Sequence, residues 1–217
     1  MSVTSRPGWT VIVPVKHTSH GKSRLGADAA LARAIALDTL ERIAAAHSAE
    51  RIVLVTSDVG LAEEARREIV GVQLEVVADV DSASTTAGPD SIEHSLNDAV
   101  RLGLGRVSDD LVAVIHADLP ALDPDELDEV LRLATDVPFG AVSDSEGLGT
   151  VMLTAQNPRA LHPSFGRRSY ARHLAAGAAP LAAAASLRHD IDTPAQLAAA
   201  RDSPDLTLGP RTRAAGS

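Results

Sequence analysis

Short apolar runs rich in β-branched residues recur along the chain with stretches of helical period between them, and this alternation limits the fold more than any other feature. Residues 10–15 (TVIVPV), 51–56 (RIVLVT) and 111–115 (LVAVI) are almost continuously apolar, the pattern of strands buried on both faces. Between the first two, Leu31, Ile35, Leu37, Leu40 and Ile43 recur at about 3.6 residues, which predicts a helix over residues 28–47. Residues 61–69 and 91–104 predict further helices, the second opened by Asp90 or Ser91 as N-cap. Residues 72–77 alternate like a strand, and residues 79–90, rich in Ser, Thr, Gly and Pro, predict a loop. Residues 123–134 form an acidic amphipathic pattern, with Asp123 as N-cap and Pro124 at the first helical position.

Further along, residues 138–142 and 150–154 predict strands on either side of a turn-rich stretch, 143–149. Residues 169–176 predict a helix; the Ala-rich 180–187 fit a helix by propensity and a strand by context; 194–201 predict a closing helix. Residues 203–217 are expected to be a flexible tail. Such alternation implies an α/β fold, a three-layer, mostly parallel sheet with helices on both faces, in a single domain over residues 1–202. Ligands of these sheets bind at the carboxyl ends of strands. The loops after Val15, Thr56 and Ile115 and the stretch around Asp190 are therefore the places to look for chemistry.

Composition narrows the partners. Hydrophobic residues are 45% and aromatics only 2%, so the core is aliphatic. A net charge of −9 opposes the phosphate backbone of nucleic acids, so no nucleic-acid partner is expected. Small anions stay within reach, because local Lys and Arg clusters override net charge. The absence of cysteine excludes disulfides and thiolate metal sites. Met1 to Trp9 lacks the pattern of a signal peptide, and no apolar run reaches the roughly 20 residues that span a bilayer, so a cytoplasmic protein with no membrane partner is expected.

Four stretches carry candidate chemistry. Residues 14–25 (PVKHTSHGKSRL) set Lys16, Lys22 and Arg24 beside Ser23 and a glycine, just past a strand, where backbone amides and cations can wrap a polyphosphate. Neither the P-loop spacing nor the dinucleotide fingerprint is present, and a solvated basic loop is the competing reading. Asp118 follows the most apolar strand in His116-Ala117-Asp118-Leu119-Pro120, where a hard carboxylate suits Mg²⁺ or simply caps the turn. His116 reads as a packed side chain. Asp190 and Asp192 share a face of an extended segment and would join Asp118 in a carboxylate cluster, unless Asp192 or Thr193 only caps the helix from Pro194. Gly147-Leu148-Gly149-Thr150 and the run 165–173 (FGRRSYARH) supply glycines, hydroxyls and Arg167, Arg168 and Arg172 for a small anion, with an exposed basic helix face as the competing reading.

Collinear, these stretches resemble the guanylyltransferases that make the precursor of the deazaflavin coenzyme F-420, relatives of the MobA-like and sugar-activating nucleotidyltransferases. The resembling segments are residues 14–25, VTSD (55–58), SLNDAV (95–100), HADLPAL (116–122), GLGTVML (147–153), 165–173 and RHDIDTPAQL (188–197). The resemblance implies a nucleotide-diphospho-sugar transferase-like fold and transfer of GMP from GTP to phosphoenolpyruvate or 2-phospho-L-lactate. The Ala/Arg-rich, Lys-poor composition, typical of high-GC bacteria, favours the former. It also implies that Lys16, Lys22, Ser23 and Arg24 hold the triphosphate and Asn97 lies near the base or ribose. Asp118 and Asp192, with Asp190 as third carboxylate, would bind Mg²⁺; Thr150, Gly166, Ser169 and Arg168 would hold the phosphorylated three-carbon acid. A downstream transferase accepting the labile product is the implied partner. A GTP-sensing module is the alternative from another class, and the three aspartates speak against it.

Overall fold

The computed structural model describes residues 8–15, 29–79, 89–108 and 111–215, with residues 89–95 described by their backbone alone. The strands are β1 (Trp9–Val15), β2 (Ala49–Thr56), β3 (Gln73–Ala78), β4 (Leu111–Ile115), β5 (Phe139–Ser143), β6 (Thr150–Ala155) and β7 (Ala179–Pro180). The helices are α1 (Ala29–Ala45), α2 (Val59–Glu68), α3 (Pro89–Leu104), α4 (Pro124–Ala134), α5 (Ser169–Ala175), α6 (Pro194–Asp202) and α7 (Pro210–Ala215). The strands form one sheet in the order β3-β2-β1-β4-β6-β5-β7. It is parallel except at β6, which runs antiparallel to both β4 and β5.

Side chains alternate across the buried strands, as a period of two requires. Val11, Val13, Ile52, Leu54, Ala113 and Ile115 pack with residues of α1, α2 and α4 on one face. Ile12, Val53, Val55, Val112 and Val114 pack with Ala99 and Val100 of α3 and with Phe165 on the other. The three-layer arrangement follows from runs that are apolar on both faces. Helix starts are set locally: Asp123 accepts from the amides of Asp125 and Glu126, with Pro124 next to it, as the sequence predicts. Of the Ala-rich 180–187, only Pro180 is in a strand, and Ala185–Leu187 form a 3-10 turn.

The expectation of a flexible tail after residue 202 is corrected. Leu206 and Leu208 are buried with Ile35, Ile191 and Leu197, and α7 packs on α1. Asp38 of α1, buried, accepts from the Thr212 amide at 2.7 Å and from the Arg211 guanidinium at 3.1 Å. Arg211 also bridges Glu41 and Glu68. The reason is electrostatic as well as apolar: a buried carboxylate needs donors, and this segment supplies them. Among the described residues no helix is long and apolar enough to cross a membrane.

Candidate active site

The parallel strands β1 and β4 end at the same edge of the sheet, with Ile12 beside Val114. Because β6 is reversed, its first residue, Thr150, lies at that edge too, opposite Ser143 at the end of β5. The edge therefore gathers the loop after β4, the turn between β5 and β6, and the residues near Asp190. Lys16, Lys22, Ser23 and Arg24 lie outside the described residues. Asp58, last residue of VTSD, has a structural role. It caps α2 through the Leu61 amide and accepts from Arg33 at 3.1 Å.

The carboxylate group is assembled by backbone pairing. The Ile191 amide donates to the Asp118 carbonyl at 2.9 Å. Ile191 is buried in the cluster that holds Leu31 and Ile35, whereas Asp190 and Asp192 are half-buried, with Asp190 in electrostatic reach of Asp118 and Asp192. The cap of α6 is Thr193, which accepts from the Gln196 amide at 3.2 Å, so neither aspartate serves as the cap. Burial pushes the Asp190 carboxyl up to about 7, and the charges of Asp118 and Asp192, with Asp144 behind them, add to the rise. Like charges crowded in this way suit a divalent cation. Among the described residues no group of three or more His, Asp and Glu side chains is placed to hold a metal ion by itself. Mg²⁺ is usually held by one or two carboxylates plus substrate phosphates, and hard carboxylates such as Asp118 and Asp192 are donors of that kind.

On the neighbouring side, Thr150 and Ser169 are buried and their hydroxyls lie 3.1 Å apart. Gly166, three residues before Ser169, has φ 128, and Arg168 adopts a left-handed φ of 54 at the start of α5. Arg168 is exposed and makes no capping bond with its side chain. Arg172, expected to support an anion, instead staples its own loop: it donates to the Ser164 carbonyl at 2.9 Å and to the Arg167 carbonyl. Asn97, expected near the base or ribose, is joined to the same loop. Its Oδ1 accepts from the Phe165 amide at 2.8 Å and its Nδ2 donates to the Phe165 carbonyl at 3.1 Å. His116 packs on Phe165, ring centroids 4.8 Å apart, as its reading as a packed side chain expects.

Three residues missed from sequence shape this side. Asp144 accepts from the amides of Leu148 and Gly149 at 2.8 and 2.6 Å and so holds the turn that presents Thr150. A Cβ at Gly149 would collide with that carboxylate, which explains the glycine. Arg188 donates to the Asp144 carbonyl at 2.8 Å and ties the turn to the segment carrying Asp190. His173 is fully buried beside Thr150. Asp144 at the head of a Gly- and Ser-containing turn is the one local cue, since Asp is a turn-forming residue. The partners of Arg188 and His173 are distant and left none.

Residues 9–185 match the family described as guanylyl transferase CofC like. A phosphoenolpyruvate guanylyltransferase of Streptomyces avermitilis is 37% identical over 217 residues, spanning 96% of this chain and 94% of its own length. One from Streptomyces scabiei is 38% identical over 221 residues, spanning 96% of both. Among solved structures, 4-diphosphocytidyl-2C-methyl-D-erythritol synthase from Anaerococcus prevotii is similar with a TM-score of 0.55 at 11% identity, over 88% of this chain and 94% of its own; that likeness concerns the fold alone.

Proposed function

The chain belongs to the CofC-like guanylyl transferase family, and on that premise we propose that it transfers GMP from GTP to phosphoenolpyruvate in coenzyme F-420 biosynthesis, as a cytoplasmic enzyme. The observation that carries the reading is the placement of Asp118, Asp190 and Asp192 at the same sheet edge as the hydroxyls of Thr150 and Ser169. The carboxylates suit a metal–triphosphate and the hydroxyls an anionic acceptor. A module that only senses GTP has no use for the second set.

In the reaction the phosphate oxygen of phosphoenolpyruvate attacks the α-phosphorus of GTP. The new P–O bond forms as the bond to the β-phosphate bridging oxygen breaks; pyrophosphate leaves and enolpyruvyl-diphosphoguanosine remains. The attacking phosphate is already ionised at neutral pH, so the chain has only to position two anions and offset their repulsion. Lys16, Lys22, Ser23 and Arg24 are proposed to hold the triphosphate, and Thr150, Gly166, Ser169 and Arg168 the acceptor. Mg²⁺ would be held by Asp118 and Asp192 with Asp190, and when bound neutralises phosphate charge. The labile diphosphate product calls for a downstream transferase that accepts it.

The test is pyrophosphate release from GTP, Mg²⁺ and either phosphoenolpyruvate or 2-phospho-L-lactate. Release with phosphoenolpyruvate is expected. Release with 2-phospho-L-lactate alone moves the acceptor, and release with neither refutes the reading.

A further inference from the structure

His173 lies at the centre of a hydrogen-bonded chain whose direction is set by the backbone. Its ring is fully buried and packs edge-on against Phe165, centroids 5.2 Å apart. The Ser164 amide donates to Nε2 at 3.0 Å, so Nε2 carries the lone pair. Burial, with Arg172 and His116 close by, holds the ring's pKa down at about 4, so the ring is neutral at pH 7 and has one proton to place. That proton sits on Nδ1, which faces Thr150 Oγ1 at 2.8 Å and therefore donates to it.

The count of protons then decides what the pocket offers. Thr150 and Ser169 hold two hydroxyl protons between them, and one is used in the 3.1 Å bond that joins them. With Nδ1 donating, the second proton cannot go to the ring and is kept for an outside acceptor. In the opposite tautomer Thr150 would donate to Nδ1 and Ser169 to Thr150, and none would be kept. We infer that His173 is a positioning residue: by donating to Thr150 it keeps one hydroxyl proton of the Thr150–Ser169 pair for an anionic oxygen of the acceptor. This rests on the acceptor pocket assigned above.

Two measurements separate the possibilities. In the wild-type protein without substrates, ring ¹⁵N shifts should show a protonated Nδ1 and an unprotonated Nε2; the reverse assignment overturns the inference whatever the enzyme's substrate. In steady-state assays, His173→Phe keeps the packing and loses both hydrogen bonds. Its KM for phosphoenolpyruvate should rise about tenfold or more, the scale of one lost hydrogen bond to a charged group, with KM for GTP unchanged. His173→Asn, whose amide nitrogen can replace Nδ1–H, should recover most of that loss. A wild-type acceptor KM in His173→Phe, or an equal rise in both KM values, overturns the inference. A wild-type enzyme that releases no pyrophosphate with either acid overturns the acceptor assignment instead, a result distinct from the ring shifts.

Discussion

Asp118 stands where the buried strand β4 gives way to a loop, and its backbone is paired to the segment that carries Asp190 and Asp192. On the proposed function two polyanions meet at this point, so loss of its charge should be felt in turnover rather than in folding. Asp118→Ala is expected to lower kcat by at least about 100-fold, the scale of removing one electrostatic stabiliser, and near-normal kcat in a folded variant would remove Asp118 from the mechanism. His173 makes a different prediction. Its pKa is about 4 in the folded protein against an ordinary 6.5, so the unfolded chain takes up a proton that the folded one refuses. The stabilisation is complete above pH 6.5 and is lost as pH falls toward 4, by about 3 kcal/mol in all. Urea unfolding at pH 7 and pH 4.5 measures this, and His173→Asn should flatten the dependence; parallel behaviour of the two proteins would contradict it.

Among the elements, the closing segment has a larger part than its composition suggests. Leu206 and Leu208 complete a cluster with Ile35 and Ile191, and Arg211 and Thr212 supply the donors that Asp38 needs inside α1. Deleting residues 203–217 removes those donors and uncovers Ile35, Ile191 and Leu197. The deletion is expected to cost about 3 kcal/mol or more, the scale of two buried leucines, read as a lower urea midpoint. An unchanged midpoint would show the segment to be a passenger. The reversed strand β6 matters in a different way: only a strand that begins at the carboxyl edge can bring its first residue, Thr150, next to loops that follow the ends of its neighbours.

At the scale of the whole molecule, a chain of net charge −9 sets Asp118 and Asp192 within electrostatic reach of Asp190 at the place where it is proposed to bind anions. Such crowding is costly without a cation, so Mg²⁺ should stabilise the fold as well as support turnover. Thermal unfolding with Mg²⁺ at about 100 times its Kd should gain on the order of 2.7 kcal/mol over the same protein in chelator, and Asp118→Ala should lose most of that gain. Equal melting in both conditions would argue against a resident metal.

Much of this was legible before the fold was known. The buried strands, the cap at Asp123, and the aspartates as candidate ligands follow from periodicity, short-range sterics and residue chemistry, which are local properties of a chain. The cap of α6 is open between Asp192 and Thr193 in the sequence, and the structure gives it to Thr193. Other features were decided only by tertiary structure. Asn97 clamps Phe165 from 68 residues away, and His173 meets Thr150 across 23. Asp38 is satisfied by residues more than 170 positions later, which turned an expected loose tail into a packed one. Each depends on which distant groups a closed core leaves facing one another, and no local pattern encodes that.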